Sequence, residues 1–233
     1  AHMVDVHFGK SDKRFVNYQR NIASSAYLVA RNPDLMVEIG RPEYRSMQQM
    51  LAEKPNEQRQ VRSPGFRTGE HALVEVVMFY QEQGNYTYSL AEAITHLADW
   101  YLIFGRRQSA LKSYKLAWDM LQGLEDSEEL TQQLFGSVTP LPAFGSSIEV
   151  PDAFYRTEDG SQALRFDYAD LTFDVTENGL ARKVESISEE TEDNQAQLGK
   201  LRNSTRSTHF RPLVSDGEPQ RSFENHFRYR YWY

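Results

Sequence analysis

Between residues 14 and 30 the positions Phe15, Tyr18, Ile22, Ala26 and Val29 recur every three or four residues, the period of one helix face. Asn32-Pro33 ends that pattern, because the residue before a proline is steered out of the helical region. A shorter helix is expected over 44–53, stopped before Pro55. Residues 55–69 are polar, carry Arg59, Arg62 and Arg67, and read as a long loop, either solvated or binding. A helix over 70–83 would bury Leu73, Val74, Val77, Met78 and Tyr80 and close at Gly84-Asn85. Ser89 followed by Glu92 has the spacing of a capping box. Leu90, Ala93, Ile94, Leu97, Tyr101 and Leu102 then share one apolar face, and Gly105 breaks it. A partner helix follows with Ala110, Leu111, Tyr114, Ala117, Trp118 and Leu121, so the two form an antiparallel helical hairpin. A short helix over 127–135 would cap it, before a linker of turn-forming residues over 136–147 that Leu141 and Phe144 are able to pin.

The period then changes from helical to two. Leu171, Phe173 and Val175 alternate with Thr172 and Asp174, as in a half-buried strand. Asn178-Gly179 is a strong hairpin turn, and the return strand over 180–188 sets Leu180, Arg182, Val184, Ser186 and Ser188 opposite Ala181, Lys183, Glu185 and Ile187. An acidic entry leads into a helix over 193–204, with Ala196, Leu198 and Leu201 as its apolar contacts. A strand over 209–214, a turn at Asp216-Gly217-Glu218-Pro219 and a last strand over 221–232 complete a β-β-α-β-β order. In the last strand Phe223, Asn225, Phe227, Tyr229, Tyr231 and Tyr233 are expected on one face. The fold class is therefore α+β, with a helical domain over 4–135, a linker over 136–163 and a small α/β domain over 164–233.

A length of 233 residues suits one or two domains. The 26 Lys and Arg residues against 33 Asp and Glu give a net charge of -7, which argues against binding nucleic acid through phosphate neutralisation. Cysteine is absent, which excludes disulfides, thiolate zinc sites and cysteine nucleophiles. No apolar run is long enough to span a membrane. Ala1-His2-Met3 has the character of a cloning remnant, so the native chain is expected to start near Val4, with an export signal or anchor removed.

No nucleophile–base pair, phosphate loop or dinucleotide fingerprint occurs, and no catalytic residue, cofactor or metal is expected. Glu70 and Glu75 flank His71 without a His-Glu-x-x-His spacing. His96, near Glu92 and Asp99, reads as a groove histidine; His209 and His226 read as a cross-strand pair. Arg206, Arg211, Arg221, Arg228 and Arg230 crowd the last part of the chain, preceded by Glu177, Glu185, Glu189, Glu190, Glu192 and Asp193. Two readings stay open: a basic sheet edge that accepts an acidic peptide or phosphate, or charge balance within one small sheet. The aromatic–basic alternation from Phe227 to Trp232 resembles a single-strand nucleic-acid platform, but the overall acidity argues against it.

The run Leu97-Ala98, Tyr101, Gly105, Ala110, Tyr114 and Ala117 resembles one tetratricopeptide repeat, although the usual closing proline is absent near Gln122-Gly123. The segments Leu171-Thr172-Phe173-Asp174-Val175, Asn178-Gly179, Val184, Phe210-Arg211-Pro212, Asp216-Gly217-Glu218-Pro219 and the closing aromatic strand resemble the C-terminal domain of TonB-type proteins over 164–233. The helix there lacks that family's run of alanines. The combination is similar to bacterial envelope proteins carrying both modules. It implies a non-enzymatic periplasmic adaptor for protein–protein interaction. A helical groove would be lined by Tyr86, Tyr88, His96, Trp100 and Tyr101, and a sheet edge carrying Arg221, Arg228, Arg230 and Trp232 would pair with a partner strand. The alternative is a TonB-type energy transducer for outer-membrane transport, which would need a membrane helix and a longer spacer. An exposed last strand also permits a homodimer.

Overall fold

In a computed structural model the described residues are 12–31, 65–84, 87–144, 166–192 and 194–232. They form a mixed helix-and-sheet protein, as the α+β reading requires. The chain divides into two compact units, Ala1–Asn85 and Tyr86–Tyr233.

The first unit holds α1 (Lys13–Arg31) and α2 (Phe66–Glu82). Phe15 at the start of α1 stacks on Phe79 near the end of α2, with centroids 6.2 Å apart, so the helices run antiparallel. The buried faces are rotated from the expected ones. Val16, Gln19 and Ala23 join Phe15 and Ala26 inside, while Tyr18 is exposed. In α2 Phe66, Leu73, Val76 and Phe79 are buried and Met78 is exposed; the helix starts at Phe66, inside the stretch expected to be loop. Residues 66–69 continue the same 3.6-residue stripe, which places Phe66 and Gly69 on the packed side. The helix expected over 44–53 lies outside the described residues.

The second unit opens with α3 (Tyr88–Ile103), α4 (Arg107–Leu121) and α5 (Ser127–Phe135). The N-cap of α3 is Thr87 and not Ser89: its hydroxyl accepts from the Leu90 amide at 3.3 Å, two residues ahead of the expected capping box. Ala98, Ala110 and Ala117 are fully buried; having no side chain beyond Cβ, they let α3 and α4 approach closely.

The strands are β1 (Thr139–Pro140), β2 (Phe166–Val175), β3 (Ala181–Ser186), β4 (Phe210–Arg211), β5 (Leu213–Ser215), β6 (Glu218–Gln220) and β7 (Ser222–Trp232), with α6 (Gln195–Ser207) between β3 and β4. β3, β2 and β7 make an antiparallel sheet in the spatial order β3-β2-β7. The strand expected over 209–214 is split at Pro212: β4 pairs with β1, and β5 pairs with β6 in a separate hairpin. The core holds Leu171, Phe173, Val175, Ala181, Val184 and Phe210, and Leu198 of α6 covers Ala169 and Tyr231.

The boundary between compact units differs from the one expected after residue 135. Among the described residues, contacts join the helical hairpin to the sheet residues at several points. Arg211 reaches Asp99. Gly179, at φ +71, lies so close to the end of α3 and to β4 that an added Cβ would stand 2.9 Å from Leu102 and 2.2 Å from the Phe210 carbonyl oxygen. The tip of the β5–β6 hairpin at Gly217 rests on Lys115 of α4. The expected linker takes part in the fold: β1 is a strand, and Leu141 and Phe144 are buried.

Candidate functional site

The most polar feature of the interior is Asp99, fully buried on α3. Tyr114 of α4 donates its hydroxyl to Asp99 Oδ1 at 2.7 Å. Arg211 of β4 donates from Nε to the same oxygen at 3.0 Å and from Nη2 to Oδ2. Its Nη1 reaches the Leu134 carbonyl at the end of α5, at 3.2 Å. Burial and the neighbouring Asp99 carboxylate push the Tyr114 hydroxyl well above its ordinary pKa. Burial opposes the charge on Arg211, but the attraction of Asp99 and its hydrogen bonds outweigh that and hold the guanidinium more firmly protonated. These donors are committed to the Asp99 carboxylate and the Leu134 carbonyl, so the cluster fastens three helices to one strand.

Beside it, Phe144 packs at 5.7 Å from the Trp100 ring and 6.4 Å from His96. Trp100 is 0% and His96 6% exposed, so these two are covered core residues, a correction to the open groove expected of them. The cover is the chain's own 141–144 segment, held by the Leu141 amide donating to the His209 carbonyl at 2.9 Å. Tyr88 and Tyr101 are half-buried, and Tyr86 lies outside the described residues. In the first unit an apolar groove of about 480 Å³ runs past Tyr18, Ile22, Ala26, Val29 and Gly65, with no charged lining residue among the described residues.

The sheet edge is the second candidate. β2 is central and β7 lies at one side, with no second strand partner among the described residues. Outward-facing cross-strand neighbours are Tyr168 with Arg230, Asp170 with Arg228 and Thr172 with His226. Arg228 donates side-on to Asp170, Nε to Oδ1 and Nη2 to Oδ2, both at 2.8 Å. That pairing lowers the Asp170 pKa. Inward, β2 contributes the fully buried Ala169, Leu171 and Phe173, whereas Phe227 and Tyr229 of β7 are only half-buried.

Two bulges flank the centre of β2. Each of β3 and β7 carries an extra residue opposite the stretch around Asp174, at the left-handed positions Lys183 (φ 49) and Glu224 (φ 51). Asp174 is 4% exposed and braces both. Its Oδ1 accepts the Glu224 amide at 3.2 Å, and Lys183 Nζ and Arg221 Nη2 lie 3.2 and 3.6 Å from Oδ2. Burial would raise its pKa; the Glu224 amide and Lys183 overcome that and lower it. The bulges also explain two departures from strict alternation. Ala181 and Val184 are both inward, and Phe223 is 62% exposed while Ser222 is buried.

The expected site residues are thus dispersed. Arg228 and Arg230 share the outer face of β7, and the backbone of Trp232 closes the strand opposite Phe166. Arg221 precedes the bulge, stacked over Phe223 at 4.9 Å, away from the straight part of the edge. Arg211 is in the core, and Arg206 donates to the Val184 carbonyl at 3.3 Å. His226 and His209 do not meet: His209 bridges Leu180 beyond β3, on the far side of β2. His71 is exposed on α2, 3.9 Å from Glu75. The sequence reading passed over Asp99 and Asp174. The signal available for Asp99 was a lone acid on an apolar stripe, between Thr95 and Leu102. No family model, curated protein or solved structure matches the chain.

Proposed function

We propose that this chain is a non-enzymatic interaction adaptor of the bacterial envelope, and that it recognises a partner by adding a strand to the edge of β7. The carrying observation is the strand order β3-β2-β7, in which the long β7 has a strand partner on one side only among the described residues. An edge of that kind offers a row of backbone donors and acceptors that an extended segment satisfies. The likeness of residues 164–233 to TonB-type C-terminal domains supports the same edge and the same compartment. The helical hairpin serves in this reading as a rigid mount: Asp99 and Arg211 tie it to the sheet, and Phe144 fills the space where a groove was expected.

A photo-crosslinking residue at position 230, with a control at the exposed Lys112 of α4, tests the reading in an envelope extract. The proposal expects one partner joined through 230 and none through 112. Crosslinks confined to 112, or to the α1–α2 groove, would contradict it.

A further inference from the structure

Resting on that reading, we infer that Asp174 sets the length of the β7 docking edge. It holds the bulge at Glu224 that ends the regular ladder at Asn225, and without it β7 straightens and carries Phe223 into the sheet.

Three features of residues 222–225 run against what their own chemistry favours. Glu224 lies at φ 51, in the left-handed region that is costly for a residue with a Cβ. Phe223 is 62% exposed while Ser222 is buried, the reverse of their preferences for water. The extra residue also breaks the even spacing of backbone groups that an added strand needs, so pairing beyond the edge is confined to 225–232. Conformations of this kind persist only where surrounding contacts over-determine them.

Those contacts converge on β2. Asp174 Oδ1 accepts the Glu224 amide at 3.2 Å, which ties down the left-handed residue itself. Asn225 donates from Nδ2 to the Phe173 carbonyl and to the Ser222 hydroxyl, both at 3.0 Å. The cations near Asp174 Oδ2 contribute less. The side chains of Lys183 and Arg221 are 71% and 42% exposed, so water screens both pairs and neither charge is stranded when Asp174 is removed.

The same residues define a second register. In the bulged strand Asn225 pairs with Phe173 and Ser222 with Val175. A continuous ladder running back from Asn225 sets Glu224 opposite Asp174 and Phe223 opposite Val175. Phe223 then turns to the inner face, Glu224 returns to an extended backbone, and Ser222 joins the connection from β6. The edge gains Phe223 and Glu224. In that register two carboxylates stand directly opposite one another, which is destabilising in a sheet. Asp174 therefore favours the bulge through the amide bond and disfavours the straight strand through its charge. β3 lacks this option, because taking up a residue there would reshape the Asn178-Gly179 turn, and Gly179 is packed against the Phe210 carbonyl.

The test uses the whole chain, isotope-labelled, with and without Asp174→Val. Cross-strand nuclear Overhauser contacts read the register with no partner present. Val175 should contact Ser222 in the parent and Phe223 in the variant. A contact with Ser222 that survives in the variant would overturn the inference. So would its loss with no new contact, the sign of a frayed strand. Circular dichroism checks folding; Asp174→Thr, whose hydroxyl is one bond shorter than the carboxylate, serves if the valine variant does not fold. The partner joined through position 230 should then protect β7 amides from exchange as far as Asn225 in the parent and as far as Phe223 in the variant. Protection that stops at Asn225 in both would overturn the edge length and leave strand addition standing. No partner at 230 would overturn strand addition and the edge length with it, whatever the register shows.

Discussion

Arg211 and Asp99, 112 residues apart in the chain, form a doubly hydrogen-bonded ion pair from which water is almost wholly excluded. The pair decides how the second unit is organised. A buried carboxylate without its cation would be far costlier than the net gain from the pair itself, so α3 and β4 are bound to stay together. Replacing either residue by alanine should therefore destabilise the protein by about 3–5 kcal/mol, and Asp99→Ala/Arg211→Ala should cost clearly less than the two single changes added. Urea unfolding of the four proteins reads this directly.

Tyr114 makes the same cluster sensitive to alkali. Burial and Asp99 raise its folded pKa, so the folded state holds the phenolic proton more tightly than the unfolded chain does. The stability this contributes is complete below the unfolded value of about 10 and is lost as pH rises through the folded one. Tyr114→Phe removes a hydrogen bond to a charged group, worth about 1.5–3 kcal/mol at neutral pH. Its deficit against the parent should shrink above about pH 10, measured by thermal unfolding in a pH series.

Asp174 gives the opposite sign. Its folded pKa is lowered by the Glu224 amide and Lys183 against the effect of burial. Its contribution is present above the unfolded value of about 3.9 and fades as pH falls through the folded one. Asp174→Asn keeps an acceptor for the Glu224 amide but removes the charge. The variant should lose less stability than the parent as pH falls below about 4.

Gly179 should tolerate no side chain. It sits at φ +71, and an added Cβ would meet the Phe210 carbonyl oxygen at 2.2 Å. The left-handed backbone alone costs a non-glycine residue about 1–2 kcal/mol, and the clash would displace β4 as well. Gly179→Ala should therefore destabilise by more than 2 kcal/mol, on the order of the backbone cost plus local repacking. An equal loss in the Asp99→Ala background would show that β4 docks independently of the ion pair; a smaller loss is expected.

Much of the local structure was legible. The helix period gave α1, α3, α4 and α5, and Asn178-Gly179 gave the β2–β3 turn, because such patterns depend on near neighbours. What failed depended on distant ones. Asp99 and Arg211 carry no local mark of their pairing, so the helical hairpin and the sheet looked like separate domains. Trp100 and His96 looked like groove residues because nothing near them in sequence announces Phe144 as their cover. The bulges at Lys183 and Glu224 involve non-glycine residues at positive φ, which alternation counting cannot anticipate; hence Phe223 was expected inside and is exposed. Of the arginines, Arg211 bonds to Asp99, Arg206 to the Val184 carbonyl and Arg228 to Asp170, and Arg230 stands opposite Tyr168 on the outer face of β7.

Amide hydrogen exchange along residues 225–232, with and without the partner joined through position 230, tests the docking edge most directly. In the free protein alternate amides of β7 should exchange fast, since only every second one points toward β2. Saturating partner should protect the fast set at least tenfold. A fast set that stays unprotected while the partner is bound would contradict strand addition at β7.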